Sequence, residues 1–255
     1  MTTGEPTNEL RSYGRRKGRK ATPRQATLLR ELLPRVAVDL QRAPSVLLPV
    51  GRRCPEGADE GASTATSPAP SPRPSPQGER EPLWLEIGFG GGEHLLWQAN
   101  HNRDATLIGC EPFEDGVIKV LDVIDRDRVA NIRLHMGDAR DVLRWLPEAS
   151  IDRAFILFPD PWPKRKHQKR RLLNASTLAL LARALKPGAE LRFGTDIGDY
   201  ARSALEAFQG DKRFHWQAET PADWRVRPAD WPETRYEAKA HREGRVCYYF
   251  RFRRV

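Results

Sequence analysis

From residue 82 onward, short apolar segments alternate with loops and amphipathic segments, and this pattern limits the possible folds more than any other feature. Strands are predicted at 83–87, 106–110, 132–136, 154–158 and 189–193. Helices are predicted at 93–99, 116–128, 141–146, 172–185 and 199–208, with Lys186, Pro187 and Gly188 closing the fourth. The alternation predicts an α/β fold with a doubly wound, mostly parallel sheet, which binds ligands at the carboxyl ends of its strands. Residues 245–252 alternate in polarity and predict a final antiparallel strand.

Two segments before residue 82 lack this pattern. Residues 1–50 are predicted to form a basic arm followed by a helix over 24–42, which Pro34 should end or kink because proline lacks a backbone N–H. In residues 51–81, five prolines at positions 68, 70, 72, 74 and 76 alternate with small residues, which predicts a linker without a packed core. Residues 82–255 are then the functional domain.

The charge and the cysteines narrow the possible classes of function. The chain has 43 Lys and Arg against 34 Asp and Glu, a net charge of +9, which suggests a polyanionic partner. Cys54, Cys110 and Cys247 lie far apart, which excludes a disulfide scaffold and a CxxC metal site and indicates a reducing, cytoplasmic location. No apolar run approaches the roughly 18 residues of a membrane span. We expect no metal, no membrane association and no obligatory protein partner.

A glycine-rich loop follows the first predicted strand, with Glu86 ahead of Gly88, Gly90 and Gly92. The dinucleotide fingerprint G-x-G-x-x-G fails, because Glu93 stands where its third glycine is required. A carboxylate at this point would repel a pyrophosphate, but it suits the ammonium group of S-adenosylmethionine. The loop therefore favours S-adenosylmethionine, although a tight turn without a ligand remains an alternative.

Two further acids follow the second and third predicted strands. Glu111 could accept hydrogen bonds from both ribose hydroxyls, and Asp138, followed by Ala139, could accept one from an adenine amino group. Either acid alone could instead be a helix cap or a turn residue. The three strand-end acids together, Glu86, Glu111 and Asp138, strengthen the prediction of a cofactor site.

The fourth predicted strand runs into the sequence FPDPWPK, residues 158–164. Its three prolines stiffen the loop, and a stiff loop can orient a base against a methyl donor. Trp162 could stack on a flat base, and Asp160 could accept hydrogen bonds from the base edge, or it could be only a turn carboxylate. The basic run at 164–171 follows, where it could contact phosphates or form only a solvated face.

Polar residues also follow the fifth predicted strand and precede the last. Asp196 lies at a strand end, and the segment 234–237 (TRYE) precedes the final strand. Thr234 and Glu237 could meet the donors of a guanine edge, although a structural role explains this segment better when it is taken alone.

The motifs EIGFGGG, GDA, FPDPWPKRKHQKRR, FGTD and TRYE, in this order, strongly resemble those of bacterial tRNA (guanine-N7)-methyltransferases, over about 11–42 and 82–252. The resemblance implies a class I S-adenosylmethionine-dependent fold and methylation of N7 of guanine 46 in the variable loop of tRNA. It implies cofactor-binding roles for Glu86, Gly88, Gly90, Gly92, Glu111, Asp138, Ala139 and Asp160, of which Asp160 is also catalytic. It implies substrate-binding roles for Lys164, Asp196, Thr234, Arg235, Tyr236 and Glu237. It implies RNA-binding roles for Lys166, His167, Gln168, Lys169, Arg170 and Arg171.

This chain departs from the family pattern in the insertion at 51–80 and at a few single positions, such as Lys239 and Ala240. Other classes of function also stay open at this point. They are a non-catalytic RNA-binding protein on the same fold, a nicotinamide oxidoreductase, and a methyltransferase for another RNA or for a small molecule. The basic run disfavours the small-molecule substrate, and the failed glycine spacing disfavours the oxidoreductase.

Overall fold

A single sheet organises the part of the chain that the computed structural model describes, namely residues 18, 20–44 and 81–255. Its strands are β1 Leu83–Ile87, β2 Thr106–Cys110, β3 Ile132–His135, β4 Ile151–Leu157, β5 Leu185–Thr195, β6 Phe214–Trp216 and β7 Tyr248–Arg254. They lie in the order β3-β2-β1-β4-β5-β7-β6. The first five are parallel, and β7 runs antiparallel to β5 and β6. The doubly wound fold and its antiparallel final strand are thus confirmed. The predicted arm before residue 18 and the linker at 51–80 lie outside the described residues.

Helices cover both faces of this sheet. They are α1 Pro23–Thr27, α2 Leu33–Val36, α3 Glu93–His101, α4 Glu114–Asp127, α5 Ala139–Trp145, α6 Ala175–Ala184, α7 Gly198–Gln209, α8 Ala222–Arg225 and α9 Arg235–Arg242. Side chains of a strand alternate between faces, so Leu85 of β1 packs in a cluster with α5, α6 and α7. Trp84 packs on the opposite face, in a cluster with α3, α4 and α9. Within the described residues, the helices include none long and apolar enough to cross a bilayer.

Several predicted boundaries were wrong by a few residues, and the junction of α6 with β5 shows why. The helix predicted at 172–185 begins at Ala175, because Asn174 caps it by accepting a hydrogen bond from the Thr177 N–H at 3.0 Å. Strand β5 starts at once at Leu185, which pairs with Ile151, so residues 186–188 belong to the strand. The sequence analysis also missed β6, α8 and α9.

The helix predicted at 24–42 ends earlier and contains an irregular turn. Thr22 and Gln25 form a reciprocal capping box at its start. A π-helical turn, Leu28–Leu32, joins α1 to α2, and Pro34 lies in the first turn of α2, where a missing N–H is tolerated. The chain then becomes extended, and the Val38 N–H donates to the Leu134 carbonyl at 2.9 Å beside β3.

Candidate active site

A cavity of about 510 Å³ lies at the carboxyl ends of the parallel strands. It gathers residues that follow β1, β2, β3 and β4, as expected for a doubly wound sheet. The predicted site residues that line it are Gly88, Gly90, Glu111, Asp138, Ala139, Asp160, Lys169, Arg170, Arg171, Arg235 and Tyr236. Residues from the glycine loop, the FPDPWPK loop, the basic run and the TRYE segment therefore share one cavity.

Glu111 is the acid most firmly oriented toward the glycine loop. Its two carboxylate oxygens accept hydrogen bonds from the backbone N–H groups of Gly90 at 2.8 Å and Phe113 at 2.9 Å. Burial raises the pKa of Glu111, and these two hydrogen bonds oppose that rise. Since each carboxylate oxygen can accept a further bond, the side chain remains able to receive two donors from a ligand.

Glu86 occupies a different environment from the predicted one. It is 3% exposed, and its Oε2 lies 2.7 Å from Nδ1 of His94, whose Nε2 lies 3.1 Å from Gln98 Nε2. The cause is strand periodicity, because Glu86 shares the face of β1 that Trp84 presents to α3. Among the described residues, the cavity lining includes neither Glu86 nor Gly92. The sequence analysis gave both residues a cofactor contact, which stays a prediction. The observed partner of Glu86 is His94 of α3.

Asp138 combines the cap role and a place in the cavity. It is the N-cap of α5, where its side chain accepts from the Arg140 N–H at 2.9 Å. The Arg140 guanidinium also donates to both of its oxygens, at 3.0 and 2.5 Å. Arg140 lines the cavity as well, and the sequence analysis missed it, although it directly follows the GDA motif.

The FPDPWPK loop carries two residues with left-handed backbone, Phe158 at φ +49° and Trp162 at φ +43°. The Phe158 N–H donates to the Gly194 carbonyl at 2.7 Å, which anchors the start of the loop to β5. Asp160 lies between these two residues and lines the cavity. Its carboxylate has no hydrogen bond or ion pair to any described residue, yet the surrounding protein raises its pKa by desolvation. Asp160 is therefore available to a substrate.

The basic run forms a 3₁₀ turn, Arg165–Arg170, whose members differ in role. Arg171, predicted to bind RNA, is 5% exposed and clamps the turn to α7. Its guanidinium binds the Asp199 carboxylate, the Ser203 hydroxyl at 2.8 Å and the Pro161 carbonyl at 3.0 Å. These partners occupy much of the guanidinium, and an RNA-binding role for Arg171 stays a prediction.

The rest of the basic run lies around this anchor. Lys169 and Arg170 line the cavity, and Arg170 lies 5.1 Å from the centre of the Trp162 ring. Lys164 and Lys166 are exposed outside the described cavity lining. His167 contacts the edge of Trp162 with ring centres 6.1 Å apart, and Gln168 donates to Asp199 at 3.0 Å.

The TRYE segment caps and begins α9, which the pattern Thr-x-x-Glu could have predicted. Thr234 accepts from the Glu237 N–H at 3.3 Å, and buried Glu237 accepts from the Tyr249 hydroxyl at 2.5 Å. Burial raises the pKa of Glu237, and Arg227 Nε lies 3.0 Å from its Oε1. Asp196 likewise pairs with Arg245, at 2.7 Å.

The six predicted substrate residues fall into two groups, those that line the cavity and those that do not. Within the described cavity lining, Arg235 and Tyr236 are present, whereas Lys164, Asp196, Thr234 and Glu237 are not. Asp196, Thr234 and Glu237 bind other residues of the protein, and the hydrogen bonds of Thr234 and Glu237 run to α9 and β7. Their substrate-binding roles stay predictions.

One group of described residues has the composition of a metal site. Ligand atoms of Glu233, Glu237 and His241 lie within 4.8 Å of one another on α9 and its N-terminal flank. One oxygen of Glu237 already accepts from Tyr249 and faces Arg227, whose positive charge opposes a cation. That no metal is needed stays a prediction.

Comparisons with known proteins agree on one family, that of methyltransferases. A family model described as "Putative methyltransferase" matches residues 80–250. A tRNA (guanine-N(7)-)-methyltransferase of Zymomonas mobilis is 43% identical over 251 residues, covering 98% of this chain and 97% of that protein. One of Roseobacter denitrificans is 53% identical over 174 residues, covering 68% and 74%. One of Caulobacter vibrioides is 43% identical over 241 residues, covering 94% and 93%.

Proposed function

Because the chain belongs to the family of tRNA (guanine-N(7)-)-methyltransferases, we propose that it methylates N7 of a guanine in tRNA, at position 46 of the variable loop. S-adenosylmethionine is the methyl donor of this family. The observation that carries the proposal is the Asp160 carboxylate, which lines the cavity between the glycine loop and the basic turn without a partner among the described residues. We expect the enzyme to act in the cytoplasm.

The residues of the cavity fit S-adenosylmethionine. Gly88 and Gly90 have φ values of +75° and +55°, so the loop presents backbone and no side chain to a ligand. Glu111 would accept the ribose hydroxyls, and Asp138 with Ala139 would hold the adenine. A dinucleotide fits less well, because Glu111, Asp138 and Asp160 would repel its pyrophosphate.

The proposed chemistry needs orientation and charge stabilisation. Guanine N7 has an in-plane lone pair and no proton, so no general base is required. When bound, S-adenosylmethionine supplies the electrophilic methyl group, whose bond to sulfur breaks as the bond to N7 forms. Asp160 would stabilise the positive charge that develops on the purine, and Trp162 would stack on the base.

The test is to incubate the enzyme with methyl-labelled S-adenosylmethionine and unmodified tRNA transcript, and then to digest the RNA and identify the nucleoside. We expect 7-methylguanosine from one position, which a transcript with guanine 46 replaced by adenine should lack. Asp160→Ala should lower kcat by roughly 10²-fold or more and leave S-adenosylmethionine binding largely intact. Tight tRNA binding without any methylation would support the non-catalytic alternative, and a fully active Asp160→Ala enzyme would refute the role of Asp160.

A further inference from the structure

A stack of flat side chains lies outside the cavity, made of Tyr248, Trp224 and Arg225, which we term the arginine ladder. The Trp224 and Tyr248 rings are nearly parallel, at 9°, with centres 6.1 Å apart. The Arg225 guanidinium carbon lies over both rings, 4.1 Å from the centre of Trp224 and 5.5 Å from the centre of Tyr248. Arg225 is exposed, and no hydrogen bond or ion pair joins its guanidinium to another described residue. The ladder therefore holds a planar cation in place while its hydrogen-bond donors remain available.

The ladder adjoins the same helix end as the basic turn. Tyr248 pairs with Thr195 at the carboxyl end of β5, and its hydroxyl lies 3.4 Å from where a Cβ on Gly198 would be. The next residue, Asp199, binds Arg171 and Gln168 of the basic run. Both cationic features thus meet the first turn of α7, at the edge of the sheet where the cavity opens.

A held guanidinium of this kind suits RNA. Its flat face can receive an unpaired base, and its N–H groups can donate to the adjacent phosphate. An acidic peptide would also meet the charge, but its carboxylates offer no aromatic base to stack on the exposed face. We propose that Arg225, supported by Trp224, is a second contact for the RNA substrate, to which an unpaired nucleotide away from the methylated guanine binds by stacking and by its phosphate. The proposal rests on the proposed function.

The experiment compares Arg225→Ala and Arg225→Lys with Lys212→Ala. Lys212 is an exposed cation beyond the opposite end of α7, so its variant controls for net charge. We expect Arg225→Ala to raise KM for tRNA about tenfold and to leave kcat unchanged. The slope of log KM against log salt should fall by about 0.7–0.9, the value for one phosphate contact. Affinity for S-adenosylmethionine and the melting temperature should equal those of the wild type. Arg225→Lys should return the salt dependence to the wild-type value but leave KM raised, since lysine keeps the positive charge and lacks the planar guanidinium.

The possible outcomes separate this proposal from the proposed function. If wild-type enzyme forms 7-methylguanosine but Arg225→Ala matches Lys212→Ala, the ladder is not an RNA contact. Full recovery of KM by Arg225→Lys would refute stacking. If the wild type does not methylate tRNA, the proposed function fails, and filter binding of the same tRNA to these variants still tests the ladder.

Discussion

Four acids near the glycine loop have different partners, and these partners determine what each acid can do. Glu86 is paired with His94, and Asp138 receives both a backbone N–H and the Arg140 guanidinium. Glu111 is held by two backbone N–H groups. Asp160 alone of the four has no partner among the described residues, so its negative charge is the least compensated by the protein. That difference makes Asp160 the best candidate for stabilising a cation that forms during a reaction.

The pH dependence of the reaction should report on Asp160. Desolvation raises the pKa of this carboxyl above 3.8, so the carboxylate becomes protonated at a higher pH than an exposed aspartate. Because the ionised form stabilises the purine cation, kcat should fall as the pH drops through this raised pKa and should be constant above it. The measurement is kcat against pH from about 4 to 8, at saturating substrates and with folding checked by circular dichroism.

Asp160→Asn provides the control for that profile, since the amide keeps the shape and removes the titration. The low residual kcat of this variant should not fall further as the pH drops. If kcat of the wild type falls only at the ordinary pKa of an aspartate, or if the fall persists in Asp160→Asn, the titration belongs to another group.

The sequence identified the elements with strong periodicity and missed those that depend on local capping. The parallel strands and α3 to α7 follow from apolar runs and helical spacing, with boundaries wrong where Asn174 caps α6. By contrast, α9 is a polar helix whose start depends on Thr234, and strand β6 has only three residues. The orientation of Glu86 also escaped prediction, because a motif specifies a position in the chain and not the helix that packs against that face.

The close contact between α4 and the glycine loop gives a prediction at the scale of elements. A Cβ on Gly116 would lie 2.2 Å from the Gly90 carbonyl oxygen. Gly116→Ala should therefore push α4 away from the loop at a cost of about 1–3 kcal/mol. The Kd for S-adenosylmethionine, measured by isothermal titration calorimetry, should rise by roughly tenfold.

Gly210→Ala is the matched control, because its Cβ would lie 3.4 Å from the nearest atom, at the end of α7. It should leave the Kd for S-adenosylmethionine unchanged. Equal effects of the two alanines would show that the contact between α4 and the loop is not what shapes the site.

The basic turn should separate into an anchor and RNA contacts. Arg171→Ala removes the clamp to α7 and should cost about 1–3 kcal/mol in unfolding free energy. Lys166→Ala and Lys169→Ala should keep the stability and each lower the slope of log KM against log salt by about 0.7–0.9. Urea denaturation and KM measured across a salt series give the two quantities. A salt slope that the lysine variants leave intact would mean that the turn is a solvated face.

At the scale of the whole molecule, residues 20–44 pack as part of the sheet's own core. Leu28 joins the buried cluster of α3 and α4, and Val38 joins the cluster on the other face. Ala37 bridges Leu134 on β3, which would otherwise be an uncovered edge strand. The Trp145 indole donates to the Arg42 carbonyl at 2.7 Å, so the segment contacts both layers of helices.

Two truncations should therefore differ sharply in stability. Deleting residues 1–44 removes the buried Leu28 and Val38, each worth about 1.5–3 kcal/mol, and should lower the unfolding free energy by about 3–6 kcal/mol. Deleting residues 1–17 keeps each of these contacts and should therefore leave the contribution of residues 20–44 to the unfolding free energy in place. Urea denaturation followed by tryptophan fluorescence measures both proteins against the full chain. If the longer deletion unfolds at the same urea concentration as the full chain, residues 20–44 do not stabilise the sheet edge. If it is weakened as expected, the first 44 residues cannot be treated as a removable arm when the basic N-terminus is tested for RNA binding.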